Sequence, residues 1–276
     1  TASQRSLNHW SPIAETVGVP QPEYRALTAL IRSAVLAATF AACALQPNAH
    51  AQESPATNPL YQVPADKATP AQITQMQQRL LDWPQLQRYR AENAALAPVA
   101  PGTKRVVFYG DSITEGWGPT GSAGFFPGKP YVNRGISGQT TAQMLVRFQQ
   151  DVIALKPAVV VILAGTNDIA GNTGPATQAM IEDNLHAMVE LAQAHNIRIV
   201  LASVLPVSDY PWQPGVQPAG KVTALNRALR AYAEQQGLVY LDYHTAMTNK
   251  DGGLDPDLAA DGVHPTPAGY AKMVPL

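Results

Sequence analysis

Residues 158–165 read AVVVILAG, eight positions without one side chain able to hydrogen-bond to water. A membrane-spanning helix needs about 20 apolar residues, so this run is too short to be one. Its β-branched content fits a strand, and a strand apolar at every position needs cover on both faces. Soluble chains supply that cover in parallel sheets sandwiched between helices. IRIVLASVLP (197–206) repeats the signal. Between the two runs, ATQAMIEDNLHAMVELAQAH (176–195) spaces Met180, Ile181, Leu185, Met188 and Leu191 for the inner face of one helix. The alternation continues on both sides, with strands at Arg105–Tyr109, Tyr131–Asn133 and 238–242. A helix over 141–155 carries Met144, Leu145, Phe148 and Val152 inward, and another over 221–237 is closed by Gly237. Strands and helices alternating at these lengths predict an α/β fold, a three-layer α/β/α sandwich on a five-stranded parallel sheet.

Before that alternation the chain is organised differently. Arg32 precedes the apolar run SAVLAATFAACAL, and Ala49-His50-Ala51 follows with small residues at alternate positions. This is the pattern of an export signal cleaved after Ala51. Cys43, the single cysteine, raises a lipoprotein alternative, although Phe40 stands where a lipobox has leucine. Residues 1–30 show no clear period and are read as an extension outside the fold. The expected divisions are 1–51 for extension and signal peptide, 52–70 for a proline-rich linker, and 71–276 for the folded domain. Residues 71–95 are helical in composition, with Ile73, Met76 and Leu80 at helical spacing and Pro84 as a break. The final stretch, GYAKMVPL, is expected to begin a closing helix that the chain does not complete. A net charge of −1 without a basic cluster excludes a nucleic-acid partner. No stable membrane span is expected, and the oligomeric state is left open.

Parallel sheets place ligands at the carboxyl ends of their strands, and four polar blocks fall there. GDSIT (110–114) follows the first strand and NRGISGQTT (133–141) the second. AGTNDI (164–169) follows the third, and DGVHPTPAGY (261–270) follows the fifth. Together they hold a serine, exposed glycines, an asparagine and an Asp-x-x-His, which are the components of nucleophilic acyl transfer. The four blocks, in this order, resemble the SGNH hydrolase superfamily, also called GDSL esterases and lipases. The likeness covers about 105–276, and its loops are similar to those of bacterial acetylhydrolases and platelet-activating-factor-acetylhydrolase-like esterases.

The resemblance implies a flavodoxin-like sheet and a role for each matching residue. Ser112 is the nucleophile, His264 the base, and Asp261 the carboxylate that orients the imidazole. The backbone N–H groups of Ser112 and Gly138 and the side-chain amide of Asn167 are the implied oxyanion donors. Gly138 is preferred to Gly135 because it closes the ISG of the family block. A side chain at Gly138 is expected to crowd the substrate carbonyl. His244 is a rival base, and Asp255 and Asp257 are rival carboxylates. Asp111 is read as structural, and His186 and His195 as solvated. No cofactor and no metal are implied, since the acidic loop 251–262 lacks the EF-hand spacing.

Substrate choice is expected to lie in two loops, 116–130 and 207–220. The second carries Tyr210 and Trp212 among prolines, suited either to stacking on a sugar or aromatic acid or to stiffening the loop edge. The expected function is a serine esterase for carboxylic esters of short acyl groups, including acetyl on carbohydrate. The substrate is then a small-molecule or carbohydrate ester. Lysophospholipase and thioesterase activities use the same acyl chemistry. Two other classes are a non-catalytic carbohydrate-binding module and a nucleotide-binding domain. GDSITEGWG lacks both Gly-x-Gly-x-x-Gly and a phosphate-binding lysine, which argues against the last.

Overall fold

The computed structural model describes residues 63–118 and 125–276. The expected leader, its cleavage site, residues 52–62 of the linker and residues 119–124 of the first loop lie outside them. Five strands form one parallel sheet: β1 (Val106–Gly110), β2 (Tyr131–Gly135), β3 (Val159–Leu163), β4 (Arg198–Ala202) and β5 (Val239–Leu241). Their order is β2-β1-β3-β4-β5. The chain therefore leaves β1 in one direction to reach β2 and returns across it to β3. The connections after β1 and β3 diverge, opening a crevice at their carboxyl ends. Register brings the ends level, because Gly110 pairs with both Gly135 and Leu163. Three of the four polar blocks thus leave the sheet side by side.

Nine α-helices are described: α1 (Pro70–Leu81), α2 (Arg90–Ala95), α3 (Ser112–Glu115), α4 (Thr141–Asp151), α5 (Thr166–Ile169), α6 (Gln178–Ala194), α7 (Pro218–Gln236), α8 (Tyr243–Met247) and α9 (Pro267–Met273). Side chains alternate across the sheet with period two. Val107, Tyr109, Val160, Ile162, Ile199 and Leu201 form one core with buried residues of α4, α6 and α7. Phe108, Val161, Leu163 and Ala202 form the other with Ile113, Trp117, Tyr243, Met247, Tyr270 and Met273. The second layer is built from short helices and a cluster of aromatic rings, where edge-to-face pairs such as Phe108–Phe125 add to the burial. Each fully buried aliphatic side chain here stabilises the fold by about 1.5–3 kcal/mol.

One apolar expectation fails. Met180 and Leu191 are exposed, and Val189 and Ala192 take their place against the sheet. The inward stripe of α6 is Ile181, Leu185, Met188, Val189 and Ala192, and its narrower arc leaves the other two at its borders. In α1, Ile73 and Leu80 are exposed and no residue is buried. That helix is fixed by its ends instead. Thr69 and Gln72 form a capping box at the start, and the Asp82 carboxylate accepts the N–H groups of Leu86 and Gln87 in the turn beyond. At the end of α7, Gly237 adopts the left-handed conformation expected of a glycine cap.

Candidate active site

β1 stops at Gly110 because the next turn must fold back tightly. A Cβ at Gly110 would lie 2.1 Å from Thr114 Oγ1 and 2.7 Å from the Leu163 carbonyl. Asp111 then caps α3, its Oδ1 accepting the Ile113 N–H at 2.9 Å. Ser112 is the first residue of that helix. Its Oγ lies 2.9 Å from Nε2 of His264, which arrives from the loop before α9, 152 residues later. Nδ1 of His264 is 2.7 Å from Asp261 Oδ2. The other oxygen of Asp261 accepts the backbone N–H groups of Val263 and His264 at 3.0 and 2.8 Å. The carboxylate therefore holds both the imidazole and the loop that carries it. Partial burial works against its charge, but the His264 ring and these two N–H groups outweigh burial and keep its carboxyl below the usual range. A proton on Nδ1 facing a carboxylate leaves Nε2 as the acceptor for the Ser112 hydroxyl.

The second block supplies the opposite wall. Gly138 sits at φ +76, a left-handed conformation that favours glycine. Within the protein a Cβ there would meet only Asn172 Nδ2, at 3.8 Å, so the backbone conformation is what calls for glycine on the protein side. Among the described residues the N–H groups of Ser112 and Gly138 donate to no protein acceptor. Glu115 fixes this loop by accepting the Ser137 N–H at 2.8 Å while pairing with Arg88 at 3.0 Å.

Asn167, in α5, is buried beside both loops. Its Nδ2 donates to the Gln139 carbonyl at 3.0 Å and to Asp111 Oδ2 at 3.3 Å. Both amide protons are thus engaged by the protein rather than free. Its Oδ1 accepts from Asn172 Nδ2 at 2.7 Å, and Asn172 Oδ1 in turn accepts the Trp212 indole N–H at 3.1 Å. Asn172 follows Asn167 by five positions in GTNDIAGN, and that spacing is the signal by which the sequence could have shown it.

Buried charge braces the loops from below. Burial raises the Asp111 carboxyl to about 7 and that of Asp168 to about 6. Asp168 accepts the Thr141 N–H and hydroxyl at the start of α4, tying the third block to the second. Arg147, fully buried, bonds the Gly110 carbonyl at 3.0 Å, Gln139 at 2.5 Å and Asp151 at 3.1 Å. A lone arginine among helix residues gave no sequence sign of this role.

The loop 207–220 divides in two. Tyr210 is fully buried, with its hydroxyl on Thr166, so it cannot stack on a substrate. It braces α5 from inside the core. Trp212 is half-buried, and its ring centre is 5.9 Å from that of His264. The rivals are placed elsewhere. His244 Nδ1 is 3.3 Å from Thr248, and Asp255 and Asp257 are exposed turn residues. His186 is half-buried against the Tyr232 ring rather than solvated.

A serine after β1, a glycine after β2, an asparagine after β3 and an Asp-x-x-His before α9 converge on one crevice. The sequence profile of the GDSL-like lipase/acylhydrolase family matches residues 108–272. The chain belongs to the GDSL-like lipase/acylhydrolase family. The solved structure of a GDSL-like lipase from Bacteroides thetaiotaomicron is 44% identical with a TM-score of 0.67, covering 70% of this chain and 95% of that one. Among curated relatives, the esterase TesA of Pseudomonas aeruginosa is 29% identical over 144 residues, which are 52% of this chain and 65% of that protein. An acetylxylan esterase of Geobacillus stearothermophilus is 27% identical over 60% of this chain and 89% of its own length. The chain spans less than two thirds of the first of these curated relatives.

Proposed function

We propose that this GDSL-family chain is a serine esterase for carboxylic esters of short acyl groups, with acetyl carried on a carbohydrate as its substrate. The 2.9 Å approach of Ser112 Oγ to His264 Nε2, continued to Asp261, carries the reading. The name of the acetylxylan esterase relative supports the choice of acyl group and alcohol.

In this mechanism Ser112 Oγ attacks the ester carbonyl carbon as its proton passes to Nε2 of His264. Asp261 holds the resulting imidazolium through Nδ1–H. The carbonyl electron pair moves onto oxygen and meets the N–H groups of Ser112 and Gly138. Asn167 becomes the third donor by exchanging its long contact to Asp111 for the oxyanion. The two backbone donors, held in place before charge develops, cost no rearrangement when it appears. Collapse breaks the bond to the alcohol, which leaves with the proton from Nε2. Water then adds to the acyl-enzyme and gives a proton to His264. The second collapse returns that proton to Ser112 and frees the acid.

Export belongs to the same reading and rests on residues 32–51, outside the described structure. Among the described residues no helix is long and apolar enough to cross a membrane. The test is hydrolysis of p-nitrophenyl esters from C2 to C16, with a lysophospholipid and an acyl thioester in parallel. Greatest kcat/KM at C2 to C4 is expected. A maximum at C10 or above, or preference for the lysophospholipid or thioester, would contradict the proposed substrate.

A further inference from the structure

A cleft of about 300 Å³ adjoins the oxyanion loop. One wall is Gly138, Asn172 and Thr173, and the other is Gln78, Arg79 and Trp83. The second wall comes from α1 and its following turn, outside the 108–272 match that defines the family. This arm is held firmly. Gln143 Nε2 donates to the Trp83 carbonyl at 2.6 Å, Gln139 Nε2 to that of Pro84 at 2.8 Å, and Gln150 Nε2 to that of Leu86 at 2.8 Å. Three glutamines of the second block and α4 thus clamp one turn. The Asp82 carboxylate closes the turn from within. The backbone of Trp83 is therefore set before any ligand arrives, which lowers the ordering cost of binding.

The lining has a definite chemistry. Besides Gly138 the cleft is lined by four glutamines, Arg79, Asp82, Asn172, two hydroxyl residues and one indole, that of Trp83. A hydrocarbon chain seated here would strip water from these groups and return no hydrogen bonds. A polyhydroxyl ligand would replace those bonds and lay its C–H face on the indole. Gln78 and Arg79 are exposed, and Arg79 makes no ion pair among the described residues. The cleft borders the oxyanion loop at Gly138, and its Asn172 Nδ2 contacts both the Gly138 carbonyl, at 3.3 Å, and Asn167 Oδ1, although Ser112 and His264 do not line it.

We propose that this cleft is the subsite for the hydroxyl-rich, sugar-like part of the ester, with Gln78, Arg79 and Trp83 as its specificity-determining residues. The proposal rests on the esterase reading above.

The experiment compares acetylated xylobiose with p-nitrophenyl acetate as substrates of the full chain. The variants are Gln78→Ala with Arg79→Ala, and separately Trp83→Leu, each checked by thermal melting. Alanine is the best helix former, so the first variant keeps α1 intact. The ratio of kcat/KM for the sugar ester to that for p-nitrophenyl acetate should fall about 10-fold or more, as expected for losing one or two hydrogen bonds. The loss should appear in KM for the sugar ester. An unchanged ratio in both variants would overturn the subsite. Wild-type protein that cleaves p-nitrophenyl acetate but not the sugar ester would overturn the subsite and leave the esterase reading standing. Cleavage of neither ester would overturn that reading itself.

Discussion

Arg147 Nη2 donates to the Gly110 carbonyl at 3.0 Å, and both residues are buried. The same guanidinium bonds Gln139 and Asp151, so one cation ties the end of β1 to the loop beyond β2. Arg147→Met would leave the Asp151 carboxylate buried without its cation. Breaking a buried pair from one side costs about 3–5 kcal/mol. Urea unfolding should show a loss of that size, and Arg147→Met with Asp151→Leu should recover much of it.

Asn172 anchors Asn167 through its carbonyl oxygen, on the side away from the donor protons. Asn167→Ala should lower kcat by about 10²–10³, the usual cost of one oxyanion donor, with little change in KM. Asn172→Ala should lower kcat less, by about 10-fold, because it loosens the donor without removing it. Steady-state kinetics on p-nitrophenyl acetate read both. Equal losses in the two variants would mean that Asn172 acts directly.

Burial lifts the Asp111 carboxyl from its ordinary 3.8 to about 7. Between those values the folded chain keeps a proton that the unfolded chain has lost. Stability therefore falls as pH rises through that window. Asp111→Asn removes the titration and retains a capping oxygen for Ile113. The variant should gain stability relative to the parent as pH rises from about 4 to 7, read as the difference in denaturation midpoints. A difference that stays flat would show that Asp111 ionises freely in the fold.

Tyr210→Phe removes a buried hydroxyl from Thr166. It should cost about 1–3 kcal/mol of stability, as for two net hydrogen bonds, to the Thr166 hydroxyl and carbonyl. The ranking of p-nitrophenyl esters should stay as in the parent. A changed ranking would restore Tyr210 to the substrate loop.

That residue marks where the sequence stops being legible. The runs 158–165 and 197–206 had to be buried strands, since no other environment suits them. The four blocks had to meet because parallel strands deliver their ends to one edge. Within those blocks the resemblance to the GDSL family singled out Ser112, Gly138, Asn167, Asp261 and His264. Tyr210 and Trp212 lie two positions apart in one loop, yet one faces the core and the other faces His264. A loop has no period from which to tell them apart. Arg147 reaches the Gly110 carbonyl 37 residues away, which local pattern does not encode. The N-terminal arm read as helical with Ile73, Met76 and Leu80 at helical spacing, but Ile73 and Leu80 remain exposed while Gln78 and Arg79 line a cleft.

The most direct measurement is labelling by a fluorophosphonate, which reports a serine activated by a neighbouring base. With the full chain at neutral pH, peptide mass spectrometry should find the adduct on Ser112. It should vanish in Ser112→Ala and form far more slowly in His264→Ala. Absence of an adduct on the folded wild-type chain, or an adduct on another serine, would contradict the pairing of Ser112 with His264 as the reactive centre.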